Sequence, residues 1–436
     1  MNWFPLNITI IYLFLTLLLF AAGPISFHVA QPLLFYCLML MYLLAIVLGY
    51  VVGLGLSNKI TTKKSSLLDN FSQNKRLLIF IVIVALIASS ITLKLNSFFN
   101  LFNPKFLWDT VFLSLSNLQS RYILKMETVK LGQSNKIMNI FLFFLSPFKM
   151  LFVSVVILFW SKIRLALKII CLWTIFIIYI FPAFNTGTNK PIFDLLIFAS
   201  ISLIASRVKK KELKGNSAKN KIIIVIFLIL VVGAFTFFSI NIQSRAGAST
   251  YIETTSPLND IKVRSKYRDG GSALQELYVW FVGYLVQGYY GFSLSLQEDF
   301  TPTFGFGSSI FLARQVQDFF GINLFPRTYQ SKISENWDES AQWHSFYSYV
   351  ANDFHFLGVA IVCFLIGLFL ALIWVTFLYQ SNFWAFLMLP ILGLLIVFIP
   401  ANNQVFGFLE SFSSFVFVFI GWLRSVKIEV VNNEKK

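Results

Sequence analysis

The side chains best suited to binding an anion are five arginines and one lysine that lie between long apolar blocks. They are Arg245, Arg264, Arg268, Arg314, Arg327 and Lys190. A guanidinium group donates two parallel hydrogen bonds from a planar fork, which matches the oxygens of a phosphate. Lys190 closes a Gly-containing turn at a predicted helix N terminus, where backbone N–H groups favour an anion. We therefore predict contacts to a phosphate-bearing ligand, with an ordinary solvated loop as the alternative.

A second group of residues, in the polar segment 297–356, is predicted to transfer protons and to bind sugar. His344 and Asp353 are the candidate bases, because imidazole and carboxylate groups can accept protons. Trp337, Trp343 and Tyr347 are the candidates for stacking on sugar rings, with an aromatic belt at a membrane surface as the alternative. The polar segments contain no Asp-x-Asp triplet, so the sequence predicts neither a bound metal ion nor another cofactor.

The elements that must position these residues are predicted to be membrane helices. Hydrophobic residues make up 57% of the chain and charged residues 12%, and the mean hydropathy is +0.74. A soluble fold cannot bury that much apolar surface. The apolar residues form blocks of about 20, the length that a helix needs to cross a bilayer, without the alternation of a β-barrel. The prediction is an all-α, polytopic membrane bundle with large external loops, forming a single integral membrane domain over 1–436.

Ten apolar blocks are clear candidates for membrane crossings. They are Phe4–Ala22, Leu33–Leu56, Leu77–Leu95, Ile140–Trp160, Ile169–Phe184, Ile192–Ser206, Ile222–Ile242, Leu357–Tyr379, Trp384–Pro400 and Phe408–Leu423. An eleventh block, Leu277–Leu296, is rich in Gly, Gln and Tyr. A shorter return segment, Phe304–Phe320, would bring the total to about 11–12 transmembrane helices, with a re-entrant hairpin as the alternative.

The distribution of Lys and Arg predicts the orientation, since short cytoplasmic loops carry the excess of these residues. Basic clusters separate the second span from the third, the fourth from the fifth, and the sixth from the seventh. Both termini are then cytoplasmic, and the segments 96–138, 243–276 and 297–356 are external. The same clusters account for most of the formal net charge of +16, so no nucleic-acid partner is expected. The three cysteines lie in apolar blocks and are predicted to be packing residues.

Several motifs carry a resemblance to one family. The run Tyr284–Leu294, the Gly-rich stretch Phe304–Ser308 and the stretch Trp343–Gly358 look like the oligosaccharide repeat-unit polymerases (O-antigen polymerases, Wzy type). The turn Asn185–Lys190 is similar to the family's Thr-Gly-x-Arg-Gly entry to a span, although Lys stands here where Arg is commoner and Pro follows where Gly does. The motifs cover a minor part of the chain, whereas the layout of spans and loops agrees over most of it.

The resemblance implies a polymerase that joins undecaprenyl-pyrophosphate-linked oligosaccharide repeat units on the outer face of a bacterial inner membrane, for O-antigen or capsule. It implies that external arginines stabilise the departing pyrophosphate, and that the partners are the lipid-linked oligosaccharide, membrane lipid and a chain-length regulator. An O-antigen ligase or related glycosyltransferase, a flippase for the same lipid-linked sugar, and a non-catalytic structural or sensor protein are the alternatives. The long external segments argue against a flippase, whereas a ligase would differ only in its acceptor.

Overall fold

A computed structural model describes residues 1–57, 59–62, 75–94, 97–130, 136–212, 220–246, 261–267, 272–339 and 342–428. Most of the described chain is helical. The α-helices are α1 Phe4–Ala22, α2 Pro32–Ser57, α3 Lys75–Thr92, α4 Pro104–Ser116, α5 Leu118–Lys130, α6 Lys136–Met150, α7 Phe152–Phe159, α8 Leu165–Ile175, α9 Phe181–Thr186, α10 Lys190–Glu212, α11 Asn220–Ala246, α12 Ala273–Ser295, α13 Ile310–Phe320, α14 Tyr329–Lys332, α15 Phe346–Gln380, α16 Phe383–Phe398 and α17 Leu409–Ser425.

Short 3-10 helices and a π-helical turn fill some of the joints between these elements. The 3-10 helices are Phe98–Phe102, Trp160–Lys162, Ser265–Tyr267 and Phe325–Arg327, and the π-helical turn Phe176–Ile180 joins α8 to α9. Four strands are described, β1 Ile25–Phe27, β2 Ile60–Thr62, β3 Ile261–Val263 and β4 Val426–Ile428. β1 pairs antiparallel with β3, and β2 pairs antiparallel with β4. Because β1 precedes α2 and β2 follows it, the two ribbons lie at opposite ends of that helix.

Six helical segments among the described residues are long and apolar enough to cross a membrane. They are Phe4–Ala22, Pro32–Ser57, Lys136–Lys162, Leu165–Thr186, Lys190–Lys209 and Phe346–Gln380. Shorter apolar helices cover Arg76–Thr92, Leu230–Ser244 and Phe383–Phe398. The described residues of the ten clear apolar blocks therefore lie mostly on helices, α17 included, and the prediction of an all-α, polytopic helical bundle is confirmed.

The predicted return crossing over Phe304–Phe320 is wrong. Residues 304–309 form turns, and the helix that follows, α13, has only 11 residues. At 1.5 Å per residue it rises about 16 Å, roughly half the hydrocarbon thickness. It is also amphipathic, since Ala313 and Val316 are buried whereas Phe319 and Phe320 are exposed. This geometry favours the alternative in which α12 and the segment after it enter the bundle without a second full crossing.

The centre of the bundle is the close packing of α2 against α15. A Cβ atom on Gly49 would lie 1.9 Å from the main-chain oxygen of Phe364, and one on Gly367 would lie 2.0 Å from that of Ile46. Only glycine permits this approach, which is the usual role of small residues between membrane helices. The contacts advance along both chains together, so the two helices run in the same direction. The first turns of α15 therefore lie at the same end of the bundle as β1 and β3.

Helix α15 has a kink at His355, whose φ of 58° and ψ of 166° are not helical. Such a conformation is costly for a residue other than glycine and persists only when the surroundings enforce it. The Tyr42 hydroxyl donates a hydrogen bond of 2.7 Å to the Phe356 carbonyl just after the kink. The kink separates an apolar C-terminal part of α15 from a polar N-terminal part, Phe346–Phe354, which the hydropathy of the sequence had assigned to a loop.

Candidate functional site

Described parts of three chain segments meet around the polar N-terminal part of α15, and we call this region the polar end. The first is 303–309, the second is 325–339 with 342–345, and the third is 399–408. The Asn403 side-chain amide donates to the Ser308 carbonyl at 2.6 Å, and the Ser309 hydroxyl donates to the Phe406 carbonyl. The N–H of Phe346 donates to the Ile399 carbonyl at 2.9 Å. These bonds hold the loops as one structure rather than as separate solvated connections.

Asp353 organises the turn at residues 303–308. Its Oδ1 accepts hydrogen bonds from the N–H groups of Gly305 at 2.8 Å and Gly307 at 3.2 Å, and from the Thr303 hydroxyl. Its Oδ2 accepts from both the N–H, at 2.7 Å, and the hydroxyl, at 2.5 Å, of Ser308. A carboxylate engaged by so many donors is a strong anchor for the turn. The structure thus gives Asp353 a positioning role, and its predicted role as a base remains a prediction.

Asn352 connects three segments of the polar end and was missed by the sequence reasoning. Its Oδ1 accepts from the Tyr329 N–H at 2.9 Å, while its Nδ2 donates to the Gly307 carbonyl at 3.0 Å and to Gln330 Oε1 at 2.8 Å. The residue is buried, with 1% of its surface exposed. The available signal was an Asn–Asp pair shortly before the apolar block Leu357–Tyr379.

His344, the first candidate base, is enclosed by protein. The side chain is fully buried, and neither ring nitrogen meets a partner with full hydrogen-bond geometry among the described residues. Burial lowers the pKa of His344 to about 3, and this outweighs the opposing effects of the Trp337 main chain and of Asp338. The imidazole is therefore neutral near pH 7 but a weak base, and this placement gives a substrate hydroxyl no access to it.

The three predicted stacking residues are packed mainly against other aromatic rings. Trp337 is 2% exposed and donates from Nε1 to the Trp343 carbonyl at 2.9 Å. Tyr347 is 1% exposed and packs against Tyr42, with ring centres 4.8 Å apart. Trp343 is half-buried, at 5.1 Å from the ring of Tyr284. In this structure the rings of Trp337 and Tyr347 belong to the core and present no face to a sugar, whereas Trp343 lies nearer the surface.

The predicted arginines lie in different places. Arg314 on α13 and Arg327 are exposed, and the Arg327 guanidinium lies 5.7 Å from the ring centre of Phe304. Arg264 follows β3 and donates from Nη2 to the Ala21 carbonyl at the end of α1, at 3.0 Å. The side chain of Arg245 and all of Arg268 lie outside the described residues. The structure thus places Arg314 and Arg327 at the polar end and ties Arg264 to another element.

Lys190 is paired rather than open to an anion. Its Nζ lies 2.5 Å from Asp194 Oδ2 one turn along α10, and 5.5 Å from the ring centre of Phe408. A second pair, Lys149 with Glu410 at 2.6 Å, lies close enough to affect the first electrostatically. Buried charges in a membrane bundle are retained when they are paired. Lys190 therefore belongs to a group of four mutually compensating charges, and its predicted contact with pyrophosphate remains a prediction.

A small cavity lies at the polar end. It is lined by Gly307, Ile310, Ala313, Phe325, Thr328, Gln330, Glu339 and Tyr349, and its volume is about 10 Å³. Arg314 directly follows one lining residue, and Arg327 directly precedes another. The Tyr349 hydroxyl donates to Glu339 Oε1 at 3.0 Å. Glu339 was not among the residues singled out from the sequence, where the only signal was an acid inside the Trp-rich stretch 337–343.

Comparison with known proteins adds nothing to this geometry. No protein-family model, curated protein or solved structure matches the chain. What can be said of the function therefore comes from the bundle, the polar end and the chemistry of their residues.

Proposed function

We propose that this protein is a polymerase that joins undecaprenyl-pyrophosphate-linked oligosaccharide repeat units into O-antigen or capsular polysaccharide. The observation that carries the proposal is a cavity at the polar end of an apolar helical bundle, with two exposed arginines, Arg314 and Arg327, that each directly adjoin one of its lining residues in the chain. A lipid-linked sugar needs both an apolar surface for its tail and cations for its pyrophosphate. The bundle offers an apolar surface along its exposed helix faces, and it offers cations at the polar end.

The reaction moves the growing glycan from its lipid pyrophosphate to a hydroxyl group of the next lipid-linked unit. Negative charge develops on the departing pyrophosphate, and guanidinium groups stabilise that charge by paired hydrogen bonds. The turn 303–308, which Asp353 anchors, carries Phe304 with 69% of its surface exposed directly beside Arg327. This ring is a candidate sugar-stacking surface in addition to Trp343. The reaction as proposed needs no cofactor.

The polar end is proposed to face the outside of a bacterial inner membrane, with both chain termini in the cytoplasm. The pairing of β2 with β4 supports this, because it places residues 60–62 beside residues 426–428, away from the polar end. Basic residues gather in the sequence around both of these segments, as expected for the cytoplasmic side. Reporter fusions test the orientation at Ser217, expected cytoplasmic, and at Ser256 and Ser340, expected external; all three lie outside the described residues. A cytoplasmic signal at Ser340 would contradict the proposed outer site.

The proposed partners are the lipid-linked oligosaccharide, membrane lipid and a chain-length regulator. A ligase would use the same lipid donor and the same arginines with another acceptor. A flippase would need intramembrane charges that are open to a passage. Lys149 and Glu410 are instead paired with each other at 2.6 Å, with Lys149 buried, which favours a transferase over a flippase.

Deletion of the gene followed by electrophoresis of the surface glycan separates these functions. Loss of a polymerase leaves a single repeat unit on the final acceptor, whereas loss of a ligase leaves none there. Loss of a flippase stops repeat units before they reach the outer face. We expect the single-repeat product, restored to a full ladder by the wild-type gene. A full ladder in the deletion strain would contradict the proposal.

A further inference from the structure

The cavity at the polar end is large enough for one hydroxyl group. Its volume of about 10 Å³ is close to the space that one water molecule needs. It cannot hold a sugar ring, which would have to lie outside and insert a single substituent. Arg314 and Arg327 adjoin lining residues in the chain, and the charge of Arg314 acts on Glu339 in the cavity wall, so a hydroxyl group inserted here would stand near the proposed pyrophosphate site.

Two polar side chains in the cavity wall are complementary to a hydroxyl group. Gln330 is 1% exposed, and its Nε2 has no hydrogen-bond partner among the described residues. Its Oε1 is held by Asn352 Nδ2 at 2.8 Å, which directs the amide. Glu339 Oε1 is held by the Tyr349 hydroxyl at 3.0 Å, while Oε2 makes no hydrogen bond to the part of the chain that the structure describes. The wall thus offers one unused donor and one unused acceptor.

We propose that Glu339 is the general base of the glycosyl transfer and that Gln330 binds the oxygen of the acceptor hydroxyl. This inference rests on the proposed function. The Glu339 carboxylate takes the hydroxyl proton, and the hydroxyl oxygen forms a bond to the anomeric carbon of the donor glycan. The bond between that carbon and the pyrophosphate oxygen breaks, and the electron pair leaves with the lipid pyrophosphate. No oxidant, reductant or further reactant is needed.

The surroundings of Glu339 suit this role. Burial raises the pKa of its carboxyl, and Asp338 on the same segment acts in the same direction. Tyr349 on α15, through its hydrogen bond, and Arg314 on α13, through its charge, oppose that rise. A carboxyl whose pKa lies above its ordinary value is a stronger base than an exposed one. The two bases expected from the sequence are placed less well, since His344 is enclosed and both oxygens of Asp353 hold the turn.

The test uses the purified full-length protein, assayed with lipid-linked repeat unit over a range of pH. We expect Glu339→Gln to lower the transfer rate by about 100-fold or more, the usual contribution of a general base, while binding of the lipid-linked unit is retained. Glu335→Gln is the matched control, because Glu335 is an exposed acid on the same segment. It should keep the wild-type rate. Glu339→Asp keeps a carboxyl group, and we expect it to be slow but still dependent on pH.

The pH profile distinguishes a catalytic role from a structural one. A base must be ionised, so the wild-type rate should rise with pH through the pKa of Glu339. Tyr349→Phe removes a hydrogen bond that lowers this pKa, and the rise should move to higher pH. Glu339→Gln should lose the rise. A wild-type rate in Glu339→Gln, or a slow rate in Glu339→Gln that still rises with pH as in the wild type, would overturn the inference alone. Absence of transfer by both the wild type and Glu335→Gln would overturn the proposed function.

Discussion

Replacing Asp353 by Asn removes part of the anchor that holds the turn 303–308. The wild-type Oδ2 accepts two hydrogen bonds from Ser308, and Oδ1 accepts from the N–H groups of Gly305 and Gly307. Asn keeps one acceptor oxygen but turns the other into an NH₂ group, which cannot accept from the Ser308 N–H. One charge-assisted hydrogen bond, worth about 1.5–3 kcal/mol, is lost and one donor is left without a partner. We expect a local cost of about 3 kcal/mol.

Hydrogen exchange followed by mass spectrometry measures this cost directly in peptides that cover residues 303–308. A cost of about 3 kcal/mol corresponds to roughly 100-fold faster exchange of the protected amides, since each 1.4 kcal/mol is a factor of ten. Asp299→Asn is the control, because its exposed carboxylate precedes the same turn, and it should exchange like the wild type. Unchanged exchange in Asp353→Asn together with lost transfer would refute the anchoring role and return Asp353 to the role of base.

Three further perturbations test other parts of the structure. Lys149→Met leaves Glu410 without its ion-pair partner and should lower the free energy of unfolding in detergent by about 2–4 kcal/mol. This cost is below that of a fully buried pair because Glu410 is 35% exposed. Adding Glu410→Gln should recover most of the loss, and equal stability of the single variant and the wild type would refute the pairing. Gly288→Ala places a Cβ atom 2.4 Å from a main-chain oxygen at residue 400 and should abolish folded protein, whereas Gly233→Ala meets nothing within 4 Å and should be normal. Arg314→Lys keeps the charge but loses the planar fork, so we expect short or no polymer at normal protein level, and full-length polymer would argue against phosphate binding there.

The fold was predictable wherever hydropathy decides the structure. The first apolar block and α1 share the bounds Phe4–Ala22, because an uninterrupted apolar run can only be a helix in a membrane. The start of α15 was placed 11 residues late, at Leu357 instead of Phe346, because its first turns are polar and Ser345 caps them through its side chain. Hydropathy cannot recognise a helix whose polar face meets other polar loops. The crossing predicted over Phe304–Phe320 failed for a different reason, since hydropathy counts the apolar residues of α13 although they cover only one side.

The position of the candidate site in the chain was predictable from the sequence, but the identity of its functional residues was less so. Most of the polar end comes from the segment 297–356 that the sequence singled out, since polar residues between spans must gather at a bundle end. Composition cannot tell an exposed aromatic ring from a packed one, so Trp337 and Tyr347 looked available although both are buried. The pairing of Lys190 with Asp194 was foreseeable from their spacing of four residues on a helix. Glu339 could not be chosen from the sequence, because only the fold brings Gln330 to the same cavity.

Reconstitution of the purified protein with one defined substrate tests the proposed polymerase most directly. The protein is placed in liposomes with a single repeat unit on undecaprenyl pyrophosphate, and the products are separated by electrophoresis. The proposal predicts a ladder of products that differ by one repeat unit, with one molecule of undecaprenyl pyrophosphate released for each bond formed, and a short ladder or none in Arg314→Lys. A product that never exceeds one repeat unit, with no release of undecaprenyl pyrophosphate, would contradict it.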